Sequence, residues 1–310
     1  EKYWGFENDY DTLYDLEPWG GTNAVARSVF KAKNCIVGSG DVTAHASQQK
    51  DLGGPHYTAA THHLCHAANT FYLSPYDEAI IFSYDGGGGD GFFNVYYGVK
   101  PGTTSKIFPK AAGINHLFKV KSDFGGGYLL FGTSIREVSE KSRHHLAVSG
   151  KLMGLSAYGE PDKSVIQPMA EFLFDRDYKK MATALGDKWP IKNIESPWED
   201  PLNNWVFEEQ KGYDFAATSQ LAFETAFFHV MNGILPAFPD VPICMSGGAS
   251  LNVLVNEKIK SSTGRPVFVT PSPSDCGLSL GHMLLHRNPA KQVNVTYSGL
   301  PLLDKDKLQN

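Results

Sequence analysis

Residues able to do chemistry concentrate in one stretch, HHLCHAANTFYLSPYDEAIIFSYDGGGGDG, at positions 62–91. His62 and His66 stand four apart, so on a helix they leave the same face one turn apart. Neutral imidazole is the commonest transition-metal ligand. Asp85 closes an apolar run, where a strand end would present it as a third donor. Asp275, in PSPSDCG at 271–277, closes a second apolar run and is a natural fourth. Two imidazoles with two carboxylates suit iron, zinc or manganese and leave coordination positions for substrate oxygens. A His-x3-His pair taken alone fits a helix cap or a core role as well as a metal. The pattern is not HExxH, because His63 stands where a metalloprotease carries its glutamate. His63 projects from another face, and two roles are open to it, structural or acid/base.

The same stretch carries a run of glycines at 86–89 between Asp85 and Asp90. Gly86, Gly87 and Gly88 would let a backbone approach a ligand closely. Two further loops, Ser246-Gly247-Gly248 and Asp275-Cys276-Gly277, each open a predicted helix. Free N–H groups and the positive end of a helix dipole suit phosphate there. Three Gly/Asp loops together suggest a nucleotide held between two lobes. Lys151 begins KLMGLSAYG at 151–159. That segment reads either as a helix end with a glycine cap or as a lysine reaching a phosphate.

These groups need elements to position them. Leu64, Ala67, Ala68 and Phe71 recur at helical spacing, which predicts a helix over 61–72, stopped by Ser74-Pro75. A strand over 79–84, the glycine turn and a return strand over 92–99 make a hairpin with its carboxylate at the turn. Residues 100–127 read as loop-rich, 128–158 as helical segments, and 160–212 as a charged excursion or lid. Further on come a helix over 218–235, a strand over 242–245, a helix over 249–260, a strand over 266–270 and a last helix after Gly277. A short helix over 22–32 is weakly patterned. The class is therefore α/β, with loops at strand ends where ligands bind in such sheets. The expected division is a first lobe over 1–127, a second over 128–290 and a linker over 291–310.

The 310 residues are 42% hydrophobic and 20% charged, an ordinary globular balance. No apolar run reaches the ~18 residues of a membrane span. The acidic, aromatic start is unlike a signal peptide, and without an initiator Met part of the natural chain is expected to be missing. Four cysteines without CxxC spacing favour a reducing, cytoplasmic setting. Net charge −5 gives no global pull toward nucleic acid. Between Lys100 and Lys151, however, nine Lys/Arg face three Asp/Glu, a local +6. That run is either a solvated face or a patch for a polyanion.

Four segments in order, the 62–91 stretch, KLMGLSAYG, CMSGGASLN at 244–252 and PSPSDCGLSLGH at 271–282, resemble the O-carbamoyltransferases of antibiotic and nodulation-factor biosynthesis and their phage relatives. A related core occurs in the tRNA threonylcarbamoyladenosine transferases. The resemblance implies an actin-like (ASKHA) fold of two ribonuclease-H-like lobes with nucleotide and metal in the cleft. It implies that His62, His66, Asp85 and Asp275 ligate a divalent metal, iron first, and that Gly247, Gly248 and Asn252 form a nucleotide loop. Lys151 lies in its helical motif. In such enzymes a YrdC-like domain makes carbamoyl adenylate from carbamoyl phosphate and ATP, with Mg serving the ATP step. The actin-like part then moves the carbamoyl group to an acceptor hydroxyl. The acceptor is a small molecule or sugar, or a hydroxymethylpyrimidine of DNA as in the phage-type relatives. The YrdC-like partner would act in cis or in trans, a homodimer is compatible with the pattern, and no membrane partner is implied. The family's N-terminal glycine/His-Asp hairpin has no clear counterpart before Lys31. Two other classes remain open on the residues, a non-catalytic nucleotide- and metal-binding module and a sugar-kinase-like phosphotransferase.

Overall fold

The computed structural model describes residues 60–294 except 106, 110–111, 141, 143–145 and 192–205; the helix expected over 22–32 lies outside them. The chain runs α1 (His62–Leu73), β1 (Glu78–Tyr84), β2 (Phe93–Val99) and β3 (Gly113–Lys119). Then come α2 (Phe124–Thr133), the single turn α3 (Arg136–Ser139), α4 (Leu146–Leu155), α5 (Ile166–Asp175), α6 (Tyr178–Leu185) and α7 (Glu209–Ile234). It closes with β4 (Ile243–Ser246), α8 (Val253–Thr263), β5 (Val267–Val269) and α9 (Leu278–Arg287).

The five strands form one sheet in the order β3-β2-β1-β4-β5. β2 runs antiparallel to β1 and β3, whereas β1, β4 and β5 are mutually parallel. This strand order, with β2 alone antiparallel to its neighbours, is ribonuclease-H-like. β1 lies at its centre, and Ala79 to Tyr84 are all buried. Both faces are covered, which is why its sequence is a continuous apolar run instead of an alternating one. Ile80, Phe82 and Tyr84 enter the core formed with α2 and α7, through Phe124, Phe223 and Phe227 among others. Ala79 and Ile81 point the other way, to Ala67, Ala68, Phe71 and Leu284 of α1 and α9. The period of two thus distributes one strand between two helical layers. Phe93 and Phe227 stack with centroids 6.1 Å apart and planes 3° from parallel.

α1 is fastened to the sheet by polar bonds as well as packing. Ser246 Oγ donates to the His66 carbonyl at 2.7 Å, and Thr70 Oγ1 donates to the Met245 carbonyl at 3.1 Å. Asn69 Nδ2 donates to the Ser272 carbonyl at 2.7 Å. α9 lies so close to α1 that a Cβ on Gly281 would sit 1.9 Å from the Cys65 carbonyl oxygen.

Several sequence expectations change. The expected lobe boundary at 127/128 falls inside α2, and strands from both sides of it share one sheet, because β1 pairs with β4 across about half the chain. Residues 100–127 contain a strand, β3, hidden by its half-exposed edge position. The excursion over 160–212 contributes α5 and α6, which place Met169, Leu173, Met181 and Leu185 in the core. α7 begins at Glu209, nine residues before the expected start at 218, because Phe215 packs with Phe207 and Trp189. Within the expected linker, Val293 N donates to the Tyr72 carbonyl at 3.0 Å and Gln292 Nε2 to the Leu73 carbonyl at 2.9 Å, tying its start to the end of α1. Among the described residues no helix is long and apolar enough to cross a membrane.

The Gly281 contact predicts that Gly281→Ala forces α9 from α1 and lowers stability by about 1–3 kcal/mol. Gly233→Ala, on α7 with open space around the added methyl, should change stability by about 0.5 kcal/mol or less. Urea denaturation of the two variants checks the difference.

Candidate metal centre and its adjoining cavity

His62 and His66 lie in the first turns of α1, and Asp85 follows the last residue of β1. Asp275 opens the turn after β5. The carboxylates therefore leave the carboxyl ends of two parallel strands and meet the imidazoles over the end of the sheet. His66 Nε2 lies 3.1 Å from His62 Nε2, 2.9 Å from Asp85 Oδ2 and 3.5 Å from Asp275 Oδ1. His62 Nε2 lies 3.5 Å from Asp85 Oδ2 and 3.6 Å from Asp275 Oδ1. All four donor atoms fall within 4.8 Å of one another. Bonds of about 2.0–2.2 Å to one ion put neighbouring donors about 3 Å apart, so this spacing suits the edges of a coordination shell.

The electrostatics agree with that geometry. Burial opposes charge on His66, but hydrogen bonds and charge from Asp275 and Asp85 outweigh it and raise its pKa. Burial likewise opposes charge on Asp85, yet His62 and His66 hold its carboxyl well below the usual range. The set therefore draws positive charge into itself, as protons or as a cation. Asp85 Oδ2 is buried, and its described neighbours there are the two Nε2 atoms, 2.9 Å away on His66 and 3.5 Å away on His62.

Glycines let backbone close around these four side chains. A Cβ on Gly88 would lie 2.7 Å from the His62 ring, and one on Gly248 2.9 Å from Asp85 Oδ1. Gly247 has φ 85°, and a Cβ there would meet the Tyr84 carbonyl at 2.1 Å. Gly125, at the start of α2, would similarly strike Gly86 at 2.5 Å.

A cavity of about 430 Å³ opens beside the centre, with Asp85 and Asp275 in its wall. This is within the range of small-molecule sites. Leu129, Met153, Phe223 and Leu251 make it mainly apolar, while Gly86, Gly125 and Gly126 line it with backbone near the start of α2. A ligand with a flat apolar part and a charged end would fit this division.

The remaining expected site residues take varied places. Gly86 and Gly248 line the cavity; Gly87 lies beside Phe92, and Gly88 and Gly247 pack against protein instead. Asn252 lines it, but its Oδ1 caps α8 at Val255 N, 3.2 Å away, and its amide exchanges hydrogen bonds with Gln220. Lys151 donates from Nζ to Ser142 Oγ at 3.1 Å, on α4 between the cavity-lining Gly150 and Met153. His63 does not face the cavity as an acid/base. It is fully buried, its Nδ1 lies 2.8 Å from Ser83 Oγ and its Nε2 2.9 Å from the Gly91 carbonyl. Burial lowers its pKa to about 4, so it is neutral near pH 7. Sequence reasoning did not assign Gly125, Gly126 and Tyr128 to the site. Asp123 before a glycine triplet was the available signal, since its side chain accepts from Gly126 N at 2.7 Å and caps α2.

The basic run also changes meaning. Lys100 is buried and donates to the Ser74 carbonyl at 2.9 Å, and Arg136 pairs with Glu208 and Glu140. Among the described Lys and Arg of 100–151, only Lys119 and Lys121 are exposed. Among the described residues, therefore, the run does not form one continuous exposed basic face.

The fold and this site define a class. Residues 25–284 match the family described as "Carbamoyltransferase N-terminus"; the chain belongs to that family. It is similar to nodulation protein NolNO of Sinorhizobium fredii, at 27% identity over 80% of this chain and 34% of that protein. It is also similar to nodulation protein NolO of Bradyrhizobium diazoefficiens, at 26% identity over 72% of this chain and 37% of that protein. The chain thus spans about a third of the length of these relatives. Among solved structures, full-length HypF in its phosphate- and nucleotide-bound form superposes with a TM-score of 0.45 at 13% identity, covering 88% of this chain and 50% of that one.

If the four donors bind one ion, the chain dialysed against zinc or manganese should retain it stoichiometrically, and His66→Ala should lose it. Asp275→Asn should weaken retention. Protons compete for the imidazoles. Because the His66 pKa is raised in the metal-free chain, retention should increase as pH rises through and above the ordinary imidazole range. Metal analysis after dialysis at several pH values measures all three.

Proposed function

We propose that this chain is the acyl-transfer part of an O-carbamoyltransferase, which binds carbamoyl adenylate and delivers its carbamoyl group to an acceptor hydroxyl. The observation that carries this reading is the junction of two sites. The His62/His66/Asp85/Asp275 cluster and the apolar cavity share Asp85 and Asp275 as a common wall. An adenylate has the matching form, a flat base for the apolar cavity and an anionic, acyl-bearing end for the cluster. Membership of the carbamoyltransferase family supports the group transferred.

In this reading His62, His66, Asp85 and Asp275 hold a divalent metal, with iron, zinc and manganese all suited to the donors. When bound, such an ion supplies Lewis-acid polarisation of a carbonyl or phosphoryl oxygen. The backbone at Gly86, Gly125 and Gly126 contacts the anionic part. Leu129, Met153 and Phe223 hold the base and exclude water from the acyl group. Carbamoyl phosphate and ATP, with Mg, are the source of the intermediate, and a YrdC-like domain in cis or trans makes it. A small-molecule or sugar hydroxyl is the favoured acceptor, since two basic residues of the run that motivated a DNA acceptor, Lys100 and Arg136, are taken up by the Ser74 carbonyl and Glu208.

Candidate alcohols incubated with ATP, carbamoyl phosphate, the chain and a YrdC-like partner should gain the mass of a carbamoyl group in place of hydrogen. A phosphoryl gain would instead mean a kinase. Binding of ATP without any acceptor modification would mean a binding module. Gly125→Ala should separate the two halves of the site. Its methyl would displace α2 from Gly86, weakening nucleotide binding by about tenfold or more, a loss of at least about 1.4 kcal/mol. Metal retention should persist, and calorimetric titration beside metal analysis reads both.

A further inference from the structure

We propose that His63 is a positioning residue of the metal centre, a neutral strut that sets the distance between the imidazole pair and Asp85. The inference rests on the metal reading above. His63 reaches both flanks of Asp85. Ser83, two residues before Asp85, approaches its Nδ1 at 2.8 Å, and the carbonyl of Gly91, beyond the glycine turn, approaches its Nε2 at 2.9 Å. A carbonyl only accepts, so Nε2 carries the proton and donates to Gly91. Nδ1 then accepts from the Ser83 hydroxyl. One neutral tautomer, with its proton on Nε2, satisfies both bonds.

The backbone of His63 joins the same device. Its N–H donates to both carboxylate oxygens of Asp90, at 3.2 and 3.1 Å. Thr61 makes no side-chain cap to α1, so Asp90, from across the turn, meets a free N–H of the helix's first turn and its positive dipole end. The end of β1 and the glycine loop are thereby tied at Ser83, Asp90 and Gly91 to His63, which lies between the proposed ligands of α1. Among the described residues Asp85 has no such tie of its own to α1 besides its contacts with His62 and His66. Its backbone N–H bonds to Phe92 across the hairpin, and its Oδ1 accepts from Gly86 N. Groups behind a ligand shell that orient it commonly change metal affinity by about 10–100-fold.

Cobalt(II) is the probe, titrated into the metal-free chain and followed by its ligand-field absorption and by calorimetry. His63→Leu fills the space but makes neither ring bond; it should weaken cobalt binding about tenfold or more and alter the absorption band. Ser83→Ala removes one bond and should weaken binding less. His63→Gln, whose amide can still donate toward Gly91, should fall between His63→Leu and the parent. Thermal unfolding of each metal-free variant shows that the titrated protein is folded. Parent-like affinity and spectrum in folded His63→Leu and Ser83→Ala, with lowered melting temperature alone, would make His63 a core residue and overturn the proposal. A parent chain that binds no cobalt would instead overturn the metal reading itself. Should His63→Leu fail to fold, Ser83→Ala and His63→Gln decide the matter by the same comparison.

Discussion

Four lone-pair donors turned toward one point are the constraint on which the rest of the structure depends. Two imidazole nitrogens 3.1 Å apart, faced by two carboxylate oxygens, do not stay together without positive charge between them. Desolvation makes the problem worse, since His66 is fully buried. The fold must therefore hold the groups by other means. It does so with bonds that have nothing to do with the ring nitrogens: Ser246 to the His66 carbonyl, Thr70 to Met245, Asn69 to Ser272. These fasten α1 across the ends of β4 and β5 independently of whatever occupies the cluster.

The sheet supplies the complementary half. β1, β4 and β5 are parallel, so their carboxyl ends open on the same side. Asp85, the Gly247-Gly248 turn and Asp275 follow those three ends in turn. Ligand sites at the carboxyl ends of parallel strands are the general rule for open α/β sheets. Here the rule brings a carboxylate from each outer member of a three-strand group onto a helix crossing above. The glycines around them serve proximity more than flexibility. At Gly88, Gly125, Gly247 and Gly248 the space for a Cβ is already filled by another part of the site.

For Lys100 and Arg136, position in the basic run did not predict their surroundings in space. The basic run was the best sequence argument for a polyanionic acceptor. The fold uses Lys100 to meet the Ser74 carbonyl beyond the end of α1, under the Phe71 ring at 5.6 Å, and neutralises Arg136 with Glu208 from a distant segment. A side chain's partner is set by which elements pack together, and Glu208 is 72 residues away.

The amino-acid sequence by itself determined the donor side chains, the helical register that puts His62 and His66 on one face, the buried central strand and the strand–glycine–helix order of the C-terminal half. Those features are local: they follow from spacing, from the apolar run of β1 and from turn residues, and they were legible before any contact was known. The family resemblance was legible for the same reason, since it rests on short motifs. Only the tertiary structure decided that β1 and β4 pair, and so that residues on both sides of the expected 127/128 division build one sheet. It also decided that the Asp123-capped glycine triplet lies against Gly86, and that the His63 ring is buried with its two nitrogens on Ser83 and Gly91. The physical reason is common to all three. Each is set by a bond or a close approach between segments far apart in sequence, and neither periodicity nor residue type carries information about which distant group will arrive.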